Sequence, residues 1–409
     1  MKISLNRAIV SLTSALDYVG VDEVHHAQRV ALLAHTLSGA LGWDDERRHD
    51  ILYAAMLHDC GVSRVQEYRN LTETLEWDGA EQHCLRGEQF LLACPPLARH
   101  APAVRWHHSR WTQLDRALLG QRVALDSNLI FLTDRLDVLL APYVTDRSLR
   151  SEILWDHPQL IARLRGLAGS LFAPELVEAL ERVSHQERFW LQCDPGYVMD
   201  EIAERLSQHP DVELGSADAL AIAELFARTV DSKSRYTLEH STRVARIARF
   251  LGECSGFRGE HLDQLEIAAL LHDIGKLRVP ETIIDRPGPI TDQERAIVKR
   301  HSYDTGRILR RVFPGLPIAG WAEMHHENLL GSGYPGRLDA QQIPLEARLI
   351  AIADIFQALS QERPYRTALE AEEVMQHLEN LATLGRVDAG LTRLVRQHLG
   401  TCRQLACRD

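Results

Sequence analysis

The pattern that most restricts how this chain can fold is one it contains twice. "VHHAQRVALLA" around His26 parallels "EHSTRVARIA" around His240, and "AAMLHDCG" parallels "AALLHDIG". The intervals agree as well: His26 to His58 and His240 to His272 both span 32 positions (58 − 26, 272 − 240), and His83 to His107 and His301 to His325 both span 24 (107 − 83, 325 − 301). His108 follows His107 as His326 follows His325, and Asp134 in "LIFLTDRLDVLL" answers Asp354 in "LIAIADIFQAL". A pattern repeated with its internal distances preserved requires the same structural unit to be built twice. A chain of 409 residues has room for two or three domains.

The class of that unit follows from its apolar spacing. Val244, Ile247, Ala248 and Leu251 recur at three- and four-residue steps, as do Leu262, Leu265, Ala268, Ala269 and His272. No run of four to eight residues alternates convincingly, so the expectation is an all-α chain of two tandem helical bundles. Thr291 followed by "DQE" reads as a capping box with Glu294. The breaks at "CDPGYVMDEI" and "SQHPDVELGSADA" divide the chain into a first domain over 1–195, a linker over 196–215 and a second domain over 216–409.

Composition removes several function classes. A net charge of −11 argues against binding a DNA or RNA backbone, which needs positive charge to release counterions. Seven cysteines without a CxxC pair fit neither a disulfide framework nor a zinc ribbon. No apolar run reaches the ~20 residues of a membrane helix, and the N-terminus lacks a cleavage site, so a cytoplasmic location without membrane association is expected.

In the second copy His240, His272, Asp273, His301, His325, His326 and Asp354 all lie on or beside the apolar faces of helices. Any one of these histidines alone is most simply a structural residue. Five imidazoles and two carboxylates in one domain are better explained as metal ligands, because an ionised Asp354 inside "LIAIADIF" is costly to bury unpaired.

The series His240, "HDIGK", His301, "HHE", "GSGYP", Asp354 and "RPYR" resembles the HD-GYP family of the HD superfamily, whose members are metal-dependent phosphodiesterases for cyclic dinucleotides. The likeness covers about residues 216 to 409. It implies a helical bundle around a binuclear iron or manganese centre, with the seven residues above as ligands and Asp273 bridging two divalent ions. Two adjacent metals lower the pKa of a shared water and polarise a phosphodiester oxygen. His272 and Asp273 are expected to point about 100° apart on a helix, with Lys276 on the same face as His272 and placed to neutralise charge on the phosphate. Arg363 and Arg366 are expected to hold a second phosphate, and Gly333, Tyr334 and Pro335 to shape the substrate side of the site. Some relatives gain a third metal through a glutamate four residues before the first histidine, where this chain has Tyr236. The family's usual Asp or Asn before "GSGYP" is Leu330 here, and that lost polar contact is expected to loosen the loop.

The first copy keeps a full potential ligand set in His26, His58, Asp59, His83, His107, His108 and Asp134. It has Val62 in place of Lys276 and neither the Gly-Tyr-Pro turn nor "RPYR". The first expectation for it is a metal-binding regulatory or structural domain, ahead of a metal-free packing domain and a second hydrolase. For the whole chain the expected activity is hydrolysis of cyclic di-GMP or a related 3′,3′-cyclic dinucleotide such as hybrid cyclic GMP-AMP, to the linear dinucleotide and onward to mononucleotides. The alternatives are a catalytically weak effector that binds the cyclic dinucleotide and another HD-type nucleotide phosphohydrolase. A homodimer and signalling-protein partners complete the expectations.

Overall fold

The computed structural model describes residues 1–19, 25–62, 64–234, 239–286, 288–362 and 367–407, so Tyr236, Arg363 and Arg366 lie outside the described residues. The described chain is mainly helical with almost no strand, in keeping with the apolar spacing. Its one sheet pairs Ile3–Ser4 antiparallel with Glu213–Leu214, placing Ile3 opposite Leu214.

Two compact units emerge, one of Leu5–Val212 and one of Met1–Ser4 with Glu213–Asp409. The first four residues therefore belong with the second unit. The stretch 196–215, read from sequence as a linker, instead contains the helix Val198–Ser207, which packs on the helix His26–Ala40. Val198, Ile202 and Leu206 explain why: they recur on one face and are buried.

In the first unit the helix His26–Ala40 packs against Asp45–Leu57 and the long helix Gln121–Thr145. Asp44 caps the second of these by accepting from the Arg47 amide at 2.8 Å. In the second unit the helix His240–Cys254 packs against Gly259–Leu270 and Leu345–Ser360, and Asp292–Val312 packs against Ile318–Glu323. Val244, Ile247, Ala248 and Leu251 are all buried, as their spacing predicts. The capping box forms: Thr291 Oγ1 accepts from the Glu294 amide at 3.2 Å, and the Glu294 carboxylate accepts from the Thr291 amide at 2.8 Å.

The HD segments are not helical, contrary to expectation. The helix Gly259–Leu270 stops before His272, and Ile274–Arg278 continues as a 3-10 turn. The cause is a close approach of backbones. A Cβ on Gly275 would stand 2.1 Å from the His301 carbonyl oxygen, and one on Gly61 would stand 2.0 Å from that of His83. Glycine thus lets each HD turn lie flush against the next ligand-bearing helix.

The entries to the two leading helices are alike in another respect. His25 and Glu239, immediately before His26 and His240, both adopt left-handed conformations, at φ 74° and 66°. Asp17 accepts from the His25 amide and Asp231 from the Ser241 amide, each at 2.8 Å. The chain spends strain at both sites to begin a helix on a histidine.

Candidate metal centres

In the second unit Asp273 lies at the middle of the imidazoles. Its Oδ2 is 3.3 Å from His272 Nε2 and 3.6 Å from His240 Nε2, while its Oδ1 is 3.4 Å from His301 Nε2 and 3.7 Å from His325 Nε2. Asp354 Oδ1 adds a second carboxylate 3.3 Å from His240 Nε2. His326 stacks at a tilt on His325, with ring centroids 4.0 Å apart, and lies 5.0 Å from His301. All seven sequence candidates therefore converge, in two groups that share Asp273. The grouping is suited to metal because His240 with His272 and Asp273, and His301 with His325 and His326, each present donor atoms within 4.8 Å of one another.

Backbone carbonyls set the direction of three rings. Nδ1 of His272, His301 and His325 donates to the carbonyl oxygen three residues back, of Ala269, Val298 and Ala322, at 2.7, 2.5 and 2.7 Å. That fixes the tautomer and leaves each Nε2 lone pair facing the centre. His240 Nδ1 meets Gln357 Oε1 at 2.5 Å, one helical turn after Asp354.

The charges are suited to a cation. Burial holds His301 near 3, His326 near 4 and His325 well below the ordinary imidazole range, so all three stay neutral. Burial opposes ionisation of Asp273, but His272 and Lys276 overcome it and hold the carboxyl well below the usual range. Asp354 is likewise depressed against its burial, chiefly by the hydrogen bond and charge of His240. Buried atoms left without a hydrogen-bond partner include His240 Nε2, His272 Nε2 and Asp273 Oδ1. Orphaned donors aimed at one point are costly in a metal-free interior and are satisfied by a bound cation. Mixed nitrogen and oxygen donors fit a divalent transition metal.

Lys276 reaches Asp273 from the 3-10 turn, not from a helical face, with Nζ 2.5 Å from Oδ2. The Tyr334 ring lies 4.8 Å from that of His326, and Lys299 Nζ stands 5.5 Å over it. Gly333 is required here: its Cβ would fall 2.5 Å from Glu327 Cα and 2.6 Å from the His326 carbonyl oxygen. The peptide between Tyr334 and Pro335 is cis.

Leu330 does not leave the loop without polar support. Asn328 Oδ1 accepts from the amides of Leu330 and Ser332 at 3.1 and 3.2 Å and from Ser332 Oγ at 3.1 Å. The Glu327 carboxylate accepts from the amides of Gly336 and Leu338 at 2.5 and 3.0 Å. Leu330 itself is 59% exposed and reaches toward Gly385.

The first unit repeats the arrangement with altered surroundings. Asp59 Oδ2 is 3.3 Å from His58 Nε2 and 3.8 Å from His26 Nε2, and its Oδ1 is 3.5 Å from His83 Nε2 and 3.8 Å from His107 Nε2. Asp134 lies 3.5 Å from His26 and 3.7 Å from His108. His58 Nε2, Asp59 Oδ1 and His83 Nδ1 are buried without partners. Two charged groups distinguish this centre. Asp137 takes the place of Gln357, contacting His26 Nδ1 at 2.7 Å while paired with the buried Arg29. Arg135 takes the place of Ile355 and binds Asp134 Oδ2 at 2.6 Å, so one carboxylate oxygen is already engaged.

Where the second unit seats Tyr334 against His326 and Lys299, the first has an opening. The corresponding His108 and Glu81, with Trp77, Trp106 and Phe131, line a cavity of about 350 Å³. The sequence reading picked out the candidate ligands but missed Gln357, Asp137, Arg135 and Asn328. A usable signal was present for Gln357 and Asp137, since each stands three positions after a candidate ligand aspartate on the same helix.

Comparison with known proteins agrees with this geometry. The family description "HD domain" matches residues 24–139 and, in a second form, 224–391. The chain is 36% identical over 391 residues to the 3′3′-cGAMP-specific phosphodiesterase 1 of Vibrio cholerae, covering 95% of this chain and 90% of that protein. It is 34% identical to phosphodiesterase 3 of the same name and organism, covering 93% and 91%. A cyclic di-GMP phosphodiesterase response regulator of Xanthomonas campestris is 36% identical over 157 residues, 37% of this chain and 41% of that protein. A solved Vibrio cholerae cyclic GMP-AMP-specific phosphodiesterase shares the fold at a TM-score of 0.63, with 24% identity and 98% of both chains covered.

Proposed function

This chain belongs to the HD-GYP family of the HD superfamily, and from that premise we propose that it is a metal-dependent phosphodiesterase of 3′,3′-cyclic dinucleotides. The observation that carries the reading is the Asp273 carboxylate, shared between two imidazole groups with Lys276 at its edge. Bound there, two divalent metals supply Lewis acidity and water activation for cleaving a phosphodiester. Imidazole and carboxylate donors without thiolates favour iron or manganese.

The protein's own groups do the rest. Asp273 and Asp354 stay ionised, and the neutral imidazoles of His301, His325 and His326 present lone pairs without first losing a proton. Lys276, partly exposed, offers an ammonium to charge developing on a phosphate oxygen. Gly333, Tyr334 and Pro335 shape the wall beside His326, while Arg363 and Arg366 supply two guanidinium forks for a second phosphate. The hybrid cyclic GMP-AMP is the favoured substrate, because two relatives named for it match over 95% and 93% of this chain, whereas the Xanthomonas cyclic di-GMP enzyme matches 37%. Linear dinucleotide is the first product.

The first unit is read as a metal-binding regulatory or structural domain. Its orphaned ligand atoms support a cation, and Val62 in place of Lys276 leaves no ammonium for a phosphodiester. With seven cysteines and no disulfide among the described residues, which suits a reducing compartment, we read the chain as cytoplasmic. Asp273→Ala tests the assignment: it is expected to lose metal from the second unit and all cyclic dinucleotide turnover. Wild-type turnover by that variant would refute the shared-carboxylate centre.

A further inference from the structure

The second unit buries a lysine that the chemistry above does not use. Lys233, just after the helix Ser216–Asp231, is 1% exposed. Among the described residues its ammonium has one hydrogen-bond acceptor, the Leu277 carbonyl oxygen at 2.7 Å. Burial lowers its pKa to about 8, and Glu281 acts to keep it charged. Taking an ammonium out of water costs several kcal/mol, and one neutral carbonyl does not offset that. Such a residue is expensive as mere packing.

Its acceptor belongs to the turn that carries Lys276. That turn is closed internally by the Lys276 amide on the Asp273 carbonyl at 2.8 Å and by the Val279 amide on the Lys276 carbonyl at 2.9 Å. On one side Thr305 Oγ1 accepts from the Gly275 amide at 3.0 Å, and on the other Lys233 holds the Leu277 carbonyl. The backbone on both sides of Lys276 is therefore anchored from outside the turn.

The internal repeat supplies a control. The counterpart of Lys233 is Val19 and that of Lys276 is Val62, both buried, while the nearby Asp231 is matched by Asp17 at the same distance from the leading histidine. The unit that lacks the reaching lysine also lacks the anchoring one. We infer that Lys233 is a positioning residue for Lys276: by gripping the Leu277 carbonyl it fixes the turn from which the Lys276 ammonium reaches Asp273 and the substrate phosphate. The inference rests on the phosphodiesterase reading.

The test combines kinetics with a measurement that needs no turnover. In the metal-loaded full chain, Lys233→Met, close in shape but uncharged, is expected to lower kcat ~10- to 100-fold, the loss typical of a misplaced catalytic group. KM and metal content should stay within about twofold of wild type. The double variant Lys233→Met/Lys276→Met should match Lys276→Met alone within about twofold, because an anchor has no effect once the anchored group is gone. A purely structural lysine would multiply the loss instead. In parallel, hydrogen exchange of the Lys276 and Val279 amides should quicken at least tenfold in Lys233→Met, with the helix His240–Cys254 unaffected. Unchanged exchange, multiplicative kinetics or a Met variant that does not fold would each overturn the positioning role. A wild-type chain inert toward both cyclic GMP-AMP and cyclic di-GMP would sink the phosphodiesterase reading separately, and the exchange result would still decide the anchoring.

Discussion

Gly275→Ala should damage the second centre without touching a ligand. The added methyl would lie 2.1 Å from the His301 carbonyl oxygen and 2.9 Å from both the His301 carbonyl carbon and the Thr305 amide nitrogen, whereas ordinary contact begins at 3.4 Å. All three obstacles are backbone, so the HD turn must retreat by about 1.3 Å, the difference between 3.4 and 2.1 Å. Asp273 is carried on that turn and His301 on the helix it retreats from, and their donor atoms are now 3.4 Å apart. A ligand bond of ~2.0–2.2 Å does not tolerate such a displacement. Second-shell substitutions typically cost ~10- to 100-fold in metal affinity, so moving a shared ligand should cost at least ~100-fold. Overpacking adds ~1–3 kcal/mol of instability, and a unit of this size loses about 2–4 °C per kcal/mol. The assay is metal per chain after dialysis against a graded chelator, with calorimetry on the same samples. Gly61→Ala, whose methyl would meet the His83 carbonyl oxygen at 2.0 Å, should transfer the damage to the first unit. Wild-type affinity and melting in Gly275→Ala would refute the view that this contact sets the geometry of the centre.

Further expectations concern the support and charge of the same residues. Gln357→Leu removes the acceptor of His240 Nδ1 and should weaken metal binding in the second unit ~10- to 100-fold; unchanged affinity by competition with a chromophoric chelator would deny Gln357 its orienting role. His240 is lifted to about 9: burial opposes the proton, but the Asp273 and Asp354 carboxylates, 3.6 and 3.3 Å from its Nε2, retain it. An entering metal must displace that proton, so affinity should fall as pH drops below about 9, by up to ~10-fold per unit. In an Asp59→Ala chain, which silences the first centre, a flat affinity between pH 8 and 6 would contradict this linkage.

The clustering of the candidate ligands was legible in sequence because they are repeated, and repetition fixes their order and spacing independently of any contact. Helices were legible because residues such as Val244, Ile247 and Leu251 bury one continuous stripe. The HD turn was not, since "LLHDIGK" keeps helical periodicity up to the point where Gly275 meets the His301 backbone, a contact between segments far apart in the chain. The supposed linker was misread for a related reason: His209, Pro210 and Gly215 suggest an irregular segment, while Val198, Ile202 and Leu206 acquire meaning only once the helix His26–Ala40 is there to receive them. Leu330 gave no sign of how the loop is held, because its polar support comes from Asn328, two residues back. Arg135 shows the same limit in the first unit, where an arginine on a buried helix face becomes informative only when its guanidinium is found on Asp134.

The most direct test of the account is product analysis with metal counting on chain prepared anaerobically and loaded with manganese or iron. Cyclic GMP-AMP and cyclic di-GMP would be supplied separately, and Asp273→Ala would serve as the background for metal held elsewhere. The account predicts linear dinucleotide from the wild type, none from the variant, and about two more metals per wild-type chain. Full metal occupancy with neither substrate cleaved would contradict it.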